Sequence, residues 1–145
     1  MTGQAGVEER VSGTMIVEAP PEIRITLHDM HRLELLLSKL ERASQAGGWR
    51  LLRAEVERAV LIDDPEAEPP FVRIGSAVAF RDERGRTHEG TLALPGQSLE
   101  DPDAIPIVTP VGAALLGLSE GQSIAYETAD GRSRSLTVLK VTDAP

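Results

Sequence analysis

The stretch TPVGAALLGLSEGQSI, residues 109–124, decides the fold because it is an apolar segment with helix signals at both ends. Thr109 can cap a helix and Pro110 suits the first helical position, whereas Gly117 is placed to end the helix. A helix of this length is unstable alone, so its leucines must be buried against other elements. The stretch therefore predicts a short helix that covers a β-sheet.

The segments on either side of this helix alternate between apolar and polar residues, which is typical of strands. The predicted strands occupy residues 71–80 (with a break at Gly75-Ser76), 87–94, 105–108, 123–128 and 133–141, with hairpin turns at 81–86 and 129–131. Strands that are joined by such short turns pair in an antiparallel manner. The sequence therefore predicts an α+β body in which one short helix covers an antiparallel sheet.

The N-terminal half of the chain predicts a helical hairpin. Apolar residues recur at threes and fours from Leu27 to Leu40, after a possible cap at Thr26. The pair Gly47-Gly48 separates this helix from a second amphipathic segment, 49–60, and so tight a link predicts an antiparallel coiled coil. The predicted order is a mobile segment (1–22), a short coiled-coil arm (23–62), an acidic, proline-rich joint (63–70) and the body (71–145).

Composition excludes several functional classes. The chain of 145 residues has 15 basic and 23 acidic side chains, a net charge of −8, which argues against direct binding of nucleic acid. Without cysteine, neither disulfides nor thiolate metal sites are possible. No signal peptide and no run of about 18 apolar residues is present, so we expect a cytoplasmic protein that contacts no membrane.

The opening stretch also resembles a motif of the C-terminal domain of bacterial Gre transcript-cleavage factors, S-P-x-G-x-A-L-[LI]-G. Here the motif runs from Thr109 to Gly117, and the similarity is closer still to the family's Rnk branch, the regulators of nucleoside diphosphate kinase. Residues 74–80 resemble the first body strand of the family, and residues 54–59 resemble its second arm helix. The resemblance covers roughly residues 23–142 and implies an FKBP-like body.

The resemblance implies RNA polymerase as the partner. In Gre factors the Ser-Pro region belongs to the surface that docks on the rim of the polymerase secondary channel. The matching residues here are Thr109 and Pro110, and Ile107, Val108 and Val111 are expected to add an apolar patch. A helix cap without any partner contact is the alternative interpretation of Thr109-Pro110, and the two roles are compatible because the cap lies at the surface.

The arm tip separates the branches of this family. The resemblance implies that cleavage factors carry paired carboxylates at the tip of a long arm, where they help to hold a magnesium ion. Here the tip contains Ser44 and Gln45 but no carboxylate, and Glu41 and Glu55 lie further back. Trp49 is either an exposed anchor for a partner or a residue that folds back between the helices. We therefore predict a regulator that is not an enzyme and needs no metal or cofactor.

Two other functions stay open from the sequence. The chain is alternatively an active transcript-cleavage factor that relies on Glu41, or an FKBP-like module that binds a ligand or peptide and has no tie to polymerase. Prolyl isomerase activity is not expected, because such pockets are lined with aromatics and this chain has only four. His28 and His31 have a spacing that suits a metal, but no third ligand is evident.

Overall fold

The computed structural model describes residues 20–43, 49–97, 101–128 and 130–142. Most of the segment predicted to be mobile, residues 1–19, lies outside this range, and so do Ser44 and Gln45 at the predicted arm tip. Within the described part of the chain, no helix combines the length and the apolar character that crossing a membrane requires.

The arm consists of two helices and two short strands. Strand β1 (Arg24–Thr26) leads into helix α1 (Leu27–Ala43), and helix α2 (Trp49–Arg58) leads into strand β2 (Val60–Ile62). The helices are antiparallel, since residues near the end of α1 face those near the start of α2, as in the ion pair between Glu41 and Arg53.

Strands β1 and β2 were not predicted. They pair in parallel, with Arg24 opposite Val60, and the second helix consequently ends at Arg58 instead of continuing to residue 60. The backbone N–H of Val60 donates to the carbonyl of Ile23 at 2.9 Å. Because Ile23 is distant in sequence, the local pattern predicted a helix at residues 59–60, where the bond to Ile23 instead starts a strand.

The body is a five-stranded sheet. Its strands are β3 (Ala77–Asp82), β4 (Thr87–Ala93), β5 (Ala104–Pro106), β6 (Ser123–Glu127) and β7 (Ser133–Thr142), in the order β5-β4-β3-β7-β6. The expectation of a purely antiparallel sheet is wrong, because β5 pairs in parallel with β4. The first body strand also starts later than predicted, at Ala77, since the backbone of Val72 bonds to the carbonyl of Leu118 instead of joining the sheet.

Helix α3 (Pro110–Leu115) has the ends that the sequence predicts. The hydroxyl oxygen of Thr109 accepts a hydrogen bond from the N–H of Gly112 at 3.1 Å, and Gly117 follows with a φ of 80°. The three leucine side chains of the stretch are at most 1% exposed; they are Leu115, Leu116 and Leu118. The helix is therefore held by burial and not by its own length.

Gly117 lies at a close backbone contact between the arm and the body. Its carbonyl accepts from the N–H of Arg24 at 3.1 Å, and its own N–H donates to the carbonyl of Val72 at 2.9 Å. A Cβ atom at this position would lie 2.7 Å from Ile23 Cβ and 2.8 Å from the carbonyl oxygen of Arg24. Only glycine fits both this space and this backbone conformation.

One hydrophobic core runs through both parts of the molecule. It joins arm residues to body residues, including Leu33, Leu37, Leu52, Val56, Val72, Leu92, Leu115, Leu116 and Val138. The buried carboxylate of Asp29, in the first turn of α1, also accepts from the N–H of Ile74 at 3.1 Å. The structure is thus α+β, as predicted, while the FKBP-like and coiled-coil assignments and the division of the chain at 63–70 stay predictions.

The contact at Gly117 leads to a comparison of two glycines. Gly121 has a similar φ of 88°, but nothing lies within 4 Å of its added Cβ. We expect Gly121→Ala to lower the free energy of unfolding by about 1–2 kcal/mol, the cost of the left-handed conformation alone. Gly117→Ala adds a clash with backbone atoms, so its loss should be at least about twice as large. Urea denaturation of both variants measures this, and equal losses would contradict the close contact.

Candidate functional site

A groove lies beside the first turn of helix α3, between the helix and one end of the sheet. Its volume is about 350 Å³. The apolar part of its lining comprises Phe80, Pro110, Val111 and Tyr126, and the polar part comprises Asp82, Glu83, His88, Thr128 and Arg134. A concave surface with an apolar floor and a few fixed polar groups is the usual form of a binding site.

The hairpin between β3 and β4 brings two of the rings together. Gly85 has a φ of 82° in the three-residue loop 83–85, and this loop sets the register that places Phe80 opposite His88. Their ring centroids are 5.2 Å apart and the planes differ by 24°, so the two rings stack. On the neighbouring hairpin, Tyr126 pairs with Arg134 and completes the groove.

Asp82 carries a fixed negative charge at the rim of the groove. The Nε2 atom of His88 lies 2.8 Å from its Oδ2, and the backbone N–H groups of Arg84 and Arg86 donate to its Oδ1 at 2.9 and 3.0 Å. The hydrogen bond to His88 is the largest of the causes that lower the pKa of Asp82 to about 2. The carboxylate thus stays ionised at every physiological pH.

Glu83 and Tyr126 form the other side of the rim. The carboxylate of Glu83 accepts from the N–H of Ser135 at 3.1 Å and from Arg134 at 3.0 Å, and the Ser135 bond is the main reason that the pKa of Glu83 is lowered. Burial, and then the charge of Glu83, raise the pKa of the Tyr126 phenol. The groove therefore presents a neutral phenol between two charged side chains that already have partners.

The residues predicted to contact a partner divide into two groups. Pro110 and Val111 are partly exposed and line the groove, and Val108 is partly exposed nearby. Ile107 is fully buried, so its assignment to the surface patch is wrong. Its N–H donates to the carbonyl of Ala93 at 2.8 Å, which turns its side chain into the core.

The Thr109 hydroxyl is committed to the helix cap. It donates its only hydrogen to the carbonyl of Pro106 at 2.7 Å and accepts from the N–H of Gly112 at 3.1 Å. A group that has used its hydrogen in this way cannot also donate to a partner. Thr109 therefore acts by fixing the corner at which Pro110 is presented.

The described residues near the arm tip are engaged within the arm. Trp49 is partly buried against the core, with the Arg53 guanidinium 6.0 Å from its ring centroid, which agrees with the interpretation that it folds back. Glu41 forms an ion pair with Arg53. Glu55 is 5% exposed and both of its carboxylate oxygens accept from Arg58. Both carboxylates thus have an arginine partner within the arm.

The aromatic groove was missed by sequence reasoning. None of its side chains from the two hairpins was predicted as part of the site; these are Phe80, Asp82, Glu83, His88, Tyr126, Thr128 and Arg134. The available signal was Gly85, because a three-residue loop that contains it fixes which residues of the two strands face each other.

Comparison with known proteins links this geometry to a family. The family model "Transcription elongation factor, GreA/GreB, C-term" matches residues 67–143, which include the whole sheet and helix α3. The chain is 34% identical over 128 residues to the "Regulator of nucleoside diphosphate kinase" of Escherichia coli K12, covering 86% of this chain and 92% of that protein.

Two further relatives carry the name of an elongation factor. The chain is 33% identical over 106 residues to the "Transcription elongation factor GreA" of Roseiflexus castenholzii, covering 72% of this chain and 66% of that protein. The solved structure of a "Prokaryotic transcription elongation factor GreA/GreB from Nitrosomonas europaea" superposes with a TM-score of 0.63 at 34% identity, covering 83% of this chain and 99% of that chain.

The bond between His88 and Asp82 leads to a prediction about acid behaviour. In His88→Val the pKa of Asp82 should rise from about 2 towards its ordinary value of 3.8, because the largest lowering cause is removed. Stability that comes from a lowered carboxyl pKa is complete above the unfolded-state pKa of about 3.9 and is lost as the pH falls towards the folded-state pKa. The variant should therefore lose less stability than the wild type between these two pH values.

Carboxyl-carbon NMR titration measures the effect directly. Glu83 serves as an internal control, since its pKa is lowered chiefly by the N–H of Ser135 and should stay lowered in the variant. A pKa of Asp82 that remains at about 2 in His88→Val would show that the backbone donors alone hold it there.

Proposed function

Because the chain belongs to the GreA/GreB family of transcription elongation factors, we propose that it binds RNA polymerase through the groove beside α3 and regulates transcription without stimulating transcript cleavage. The observation that carries the docking proposal is the position of Pro110 and Val111. They belong to the stretch that resembles the family motif, and they form one wall of the groove. Beside this wall lies Tyr126, which is 9% exposed. Apolar and aromatic side chains are typical of the centre of an interface.

The arm supports the second half of the proposal. Helix α2 has ten residues, which span about 15 Å, and it ends two residues before the end of the predicted segment 49–60. Glu41 is paired with Arg53, and Glu55 is buried against Arg58. The arm therefore enters the secondary channel without presenting the free carboxylate pair that the resemblance implies for cleavage factors.

This mode of binding implies a mechanism of competition. A protein that occupies the polymerase surface on which Gre factors dock, but brings no catalytic carboxylates, excludes those factors from the polymerase while it is bound. The relative from Escherichia coli is named as a regulator of nucleoside diphosphate kinase. We infer that any such influence of this chain is indirect and acts through gene expression in the cytoplasm.

The aromatic groove favours one other candidate function. Phe80 and Tyr126 are two of only four aromatic residues in the chain, and both line the groove with Pro110. A small protein that concentrates its aromatic residues in this way is also suited to bind an apolar peptide segment of another partner. Capture by purified core RNA polymerase distinguishes the two, because a peptide-binding module of this second kind would not be retained.

The docking proposal predicts the effect of a charge at Pro110. Pro110→Asp should weaken binding to core RNA polymerase by about 2–4 kcal/mol, because an unpaired carboxylate would be buried at the centre of the interface. Aspartate is compatible with the first turn of a helix, so the fold should survive. Calorimetry or fluorescence titration measures the affinity.

A matched control for Pro110→Asp is Thr142→Asp. Thr142 is exposed and lines the opposite face of the sheet, so the variant adds the same charge away from the groove. It should bind as the wild type does. Unchanged affinity in a folded Pro110→Asp protein would remove the groove from the account.

The proposed lack of cleavage activity leads to a gain-of-function test. Installing carboxylates by Ser44→Asp and Gln45→Glu should not create cleavage in stalled elongation complexes, because a charge change does not lengthen an arm of about 15 Å. An authentic Gre factor is the positive control. RNA shortening by the double variant would show that reach was never limiting, and shortening by the wild type that depends on Glu41 would overturn the proposal.

A further inference from the structure

Strand β6 forms one edge of the five-stranded sheet, with β7 as its single neighbour. Just before β6, the carbonyl of Gln122 accepts a hydrogen bond from the N–H of Val138 at 3.0 Å. Just after β6, the N–H of Thr128 donates to the carbonyl of Arg132 at 2.9 Å. In an antiparallel pair, the residues that exchange such bonds alternate along each strand. The even-numbered residues of β6 therefore bond to β7, and the odd-numbered residues direct their backbone groups outwards.

The outward backbone groups of β6 belong to Ser123, Ala125 and Glu127. Ser135 lies opposite Ala125 and agrees with this arrangement, since its N–H donates to Glu83 and not to β6. Among the described residues, none forms a hydrogen bond with the outward N–H and C=O groups of these three positions. A row of unpaired backbone groups at the edge of a sheet is a template for a further strand.

The two edges of the sheet differ in how well they resist such pairing. Strand β5, at the opposite edge, has three residues and ends in Pro106. A short edge and a proline both hinder the addition of a strand. Strand β6 has five residues, Ser-Ile-Ala-Tyr-Glu, without proline or lysine, and its pairing with β7 contains no register shift. Its one charged side chain is at the end, on Glu127.

The core beneath β6 holds this edge in shape. The side chains of Ile124 and Tyr126 are 5% and 9% exposed and belong to the hydrophobic core, whereas the odd-numbered side chains of the strand are exposed. On the exposed face, the hydroxyls of Ser123 and Thr137 are 2.6 Å apart, which ties β6 to β7. An edge that is already ordered loses little conformational entropy when another strand is added.

We propose that β6 pairs with β6 of a second copy of this chain, antiparallel and around a two-fold axis at Ala125. A two-fold interface uses the same surface of both copies, so that surface must be complementary to itself. In this register, the small Ala125 lies on the axis and the Ser123 hydroxyl lies opposite the carboxylate of Glu127 of the partner subunit. The two carboxylates lie at opposite ends of the contact, and Tyr126 lies opposite Ile124 of the partner subunit.

This arrangement predicts a weak dimer. It forms about six backbone hydrogen bonds, two for each of the three outward pairs. A strand of five residues a side is much smaller than the roughly 20–30 residues of a standard interface. Each copy also has a net charge of −8, and the resulting repulsion is screened by salt. Dimerisation is therefore expected at high protein concentration and should become stronger as the ionic strength rises.

Sedimentation equilibrium of the full chain, without polymerase, tests the proposal. From low micromolar to millimolar concentration, the average mass of the wild type should rise from that of one chain towards that of two. Ala125→Lys should weaken the dimer roughly tenfold or more, because two ammonium groups would meet at the axis. Thr142→Lys is the matched control, since it adds the same charge at an exposed position of β7 beyond the residues that pair with β6. Its dimer should match that of the wild type.

A second variant tests the backbone pairing itself. Ala125→Pro removes the outward N–H at the axis and leaves the bonds between β6 and β7 in place, because proline is compatible with an edge strand at a position whose N–H faces outwards. The dimer should weaken as it does in Ala125→Lys, while circular dichroism shows a folded protein. If the proline variant does not fold, Ala125→Lys decides the test, because the Ala125 side chain is exposed.

Three outcomes would overturn the inference. The wild type stays monomeric up to millimolar concentration, or it forms a dimer that both Ala125 variants leave unchanged and that consequently uses another surface. In the third, the amides of Ala125 and Glu127 exchange slowly in monomeric protein, which would assign the edge to another segment of the same chain. None of these measurements uses polymerase, so the inference and the proposed function can fail separately.

Discussion

The close approach of Gly117 to Ile23 and Arg24 is the constraint on which the rest of the structure depends. Backbone hydrogen bonds run from this short segment to β1 on one side and to Val72 on the other. The leucines on either side of Gly117 are buried in a core that includes side chains of both arm helices. The arm is consequently part of the folded unit, and its direction relative to the sheet is fixed by packing and not by the acidic segment that connects them in sequence.

A second glycine fixes the other end of helix α3. A Cβ on Gly112 would lie 2.2 Å from the carbonyl oxygen of Pro106, so the first turn of the helix is pressed against the end of β5. The Thr109 hydroxyl bridges the same carbonyl and the N–H of Gly112. These contacts explain why either serine or threonine suits this position of the motif, since both supply the same hydroxyl to the corner that presents Pro110.

Local signals in the sequence predicted helix α3 and the hairpins, because caps and turn glycines act over a few residues. The misses came from contacts between distant segments. Strands β1 and β2 pair although more than thirty residues separate them in sequence, and β5 pairs in parallel with β4. Neither of these two pairings has a local signature in the sequence. Ile107 was assigned to the surface because an apolar residue beside a cap gives no sign of which way it faces. The aromatic groove depends on cross-strand register and was missed for the same reason.

The central claim is that the groove beside α3 is the face that meets RNA polymerase, and photo-cross-linking tests it most directly. A photoreactive amino acid placed at Thr128 lies in the groove, and one placed at Lys140 lies on the opposite face of the same sheet. The account predicts cross-links to core RNA polymerase from position 128 and none from position 140. Cross-links from position 140 alone would contradict it.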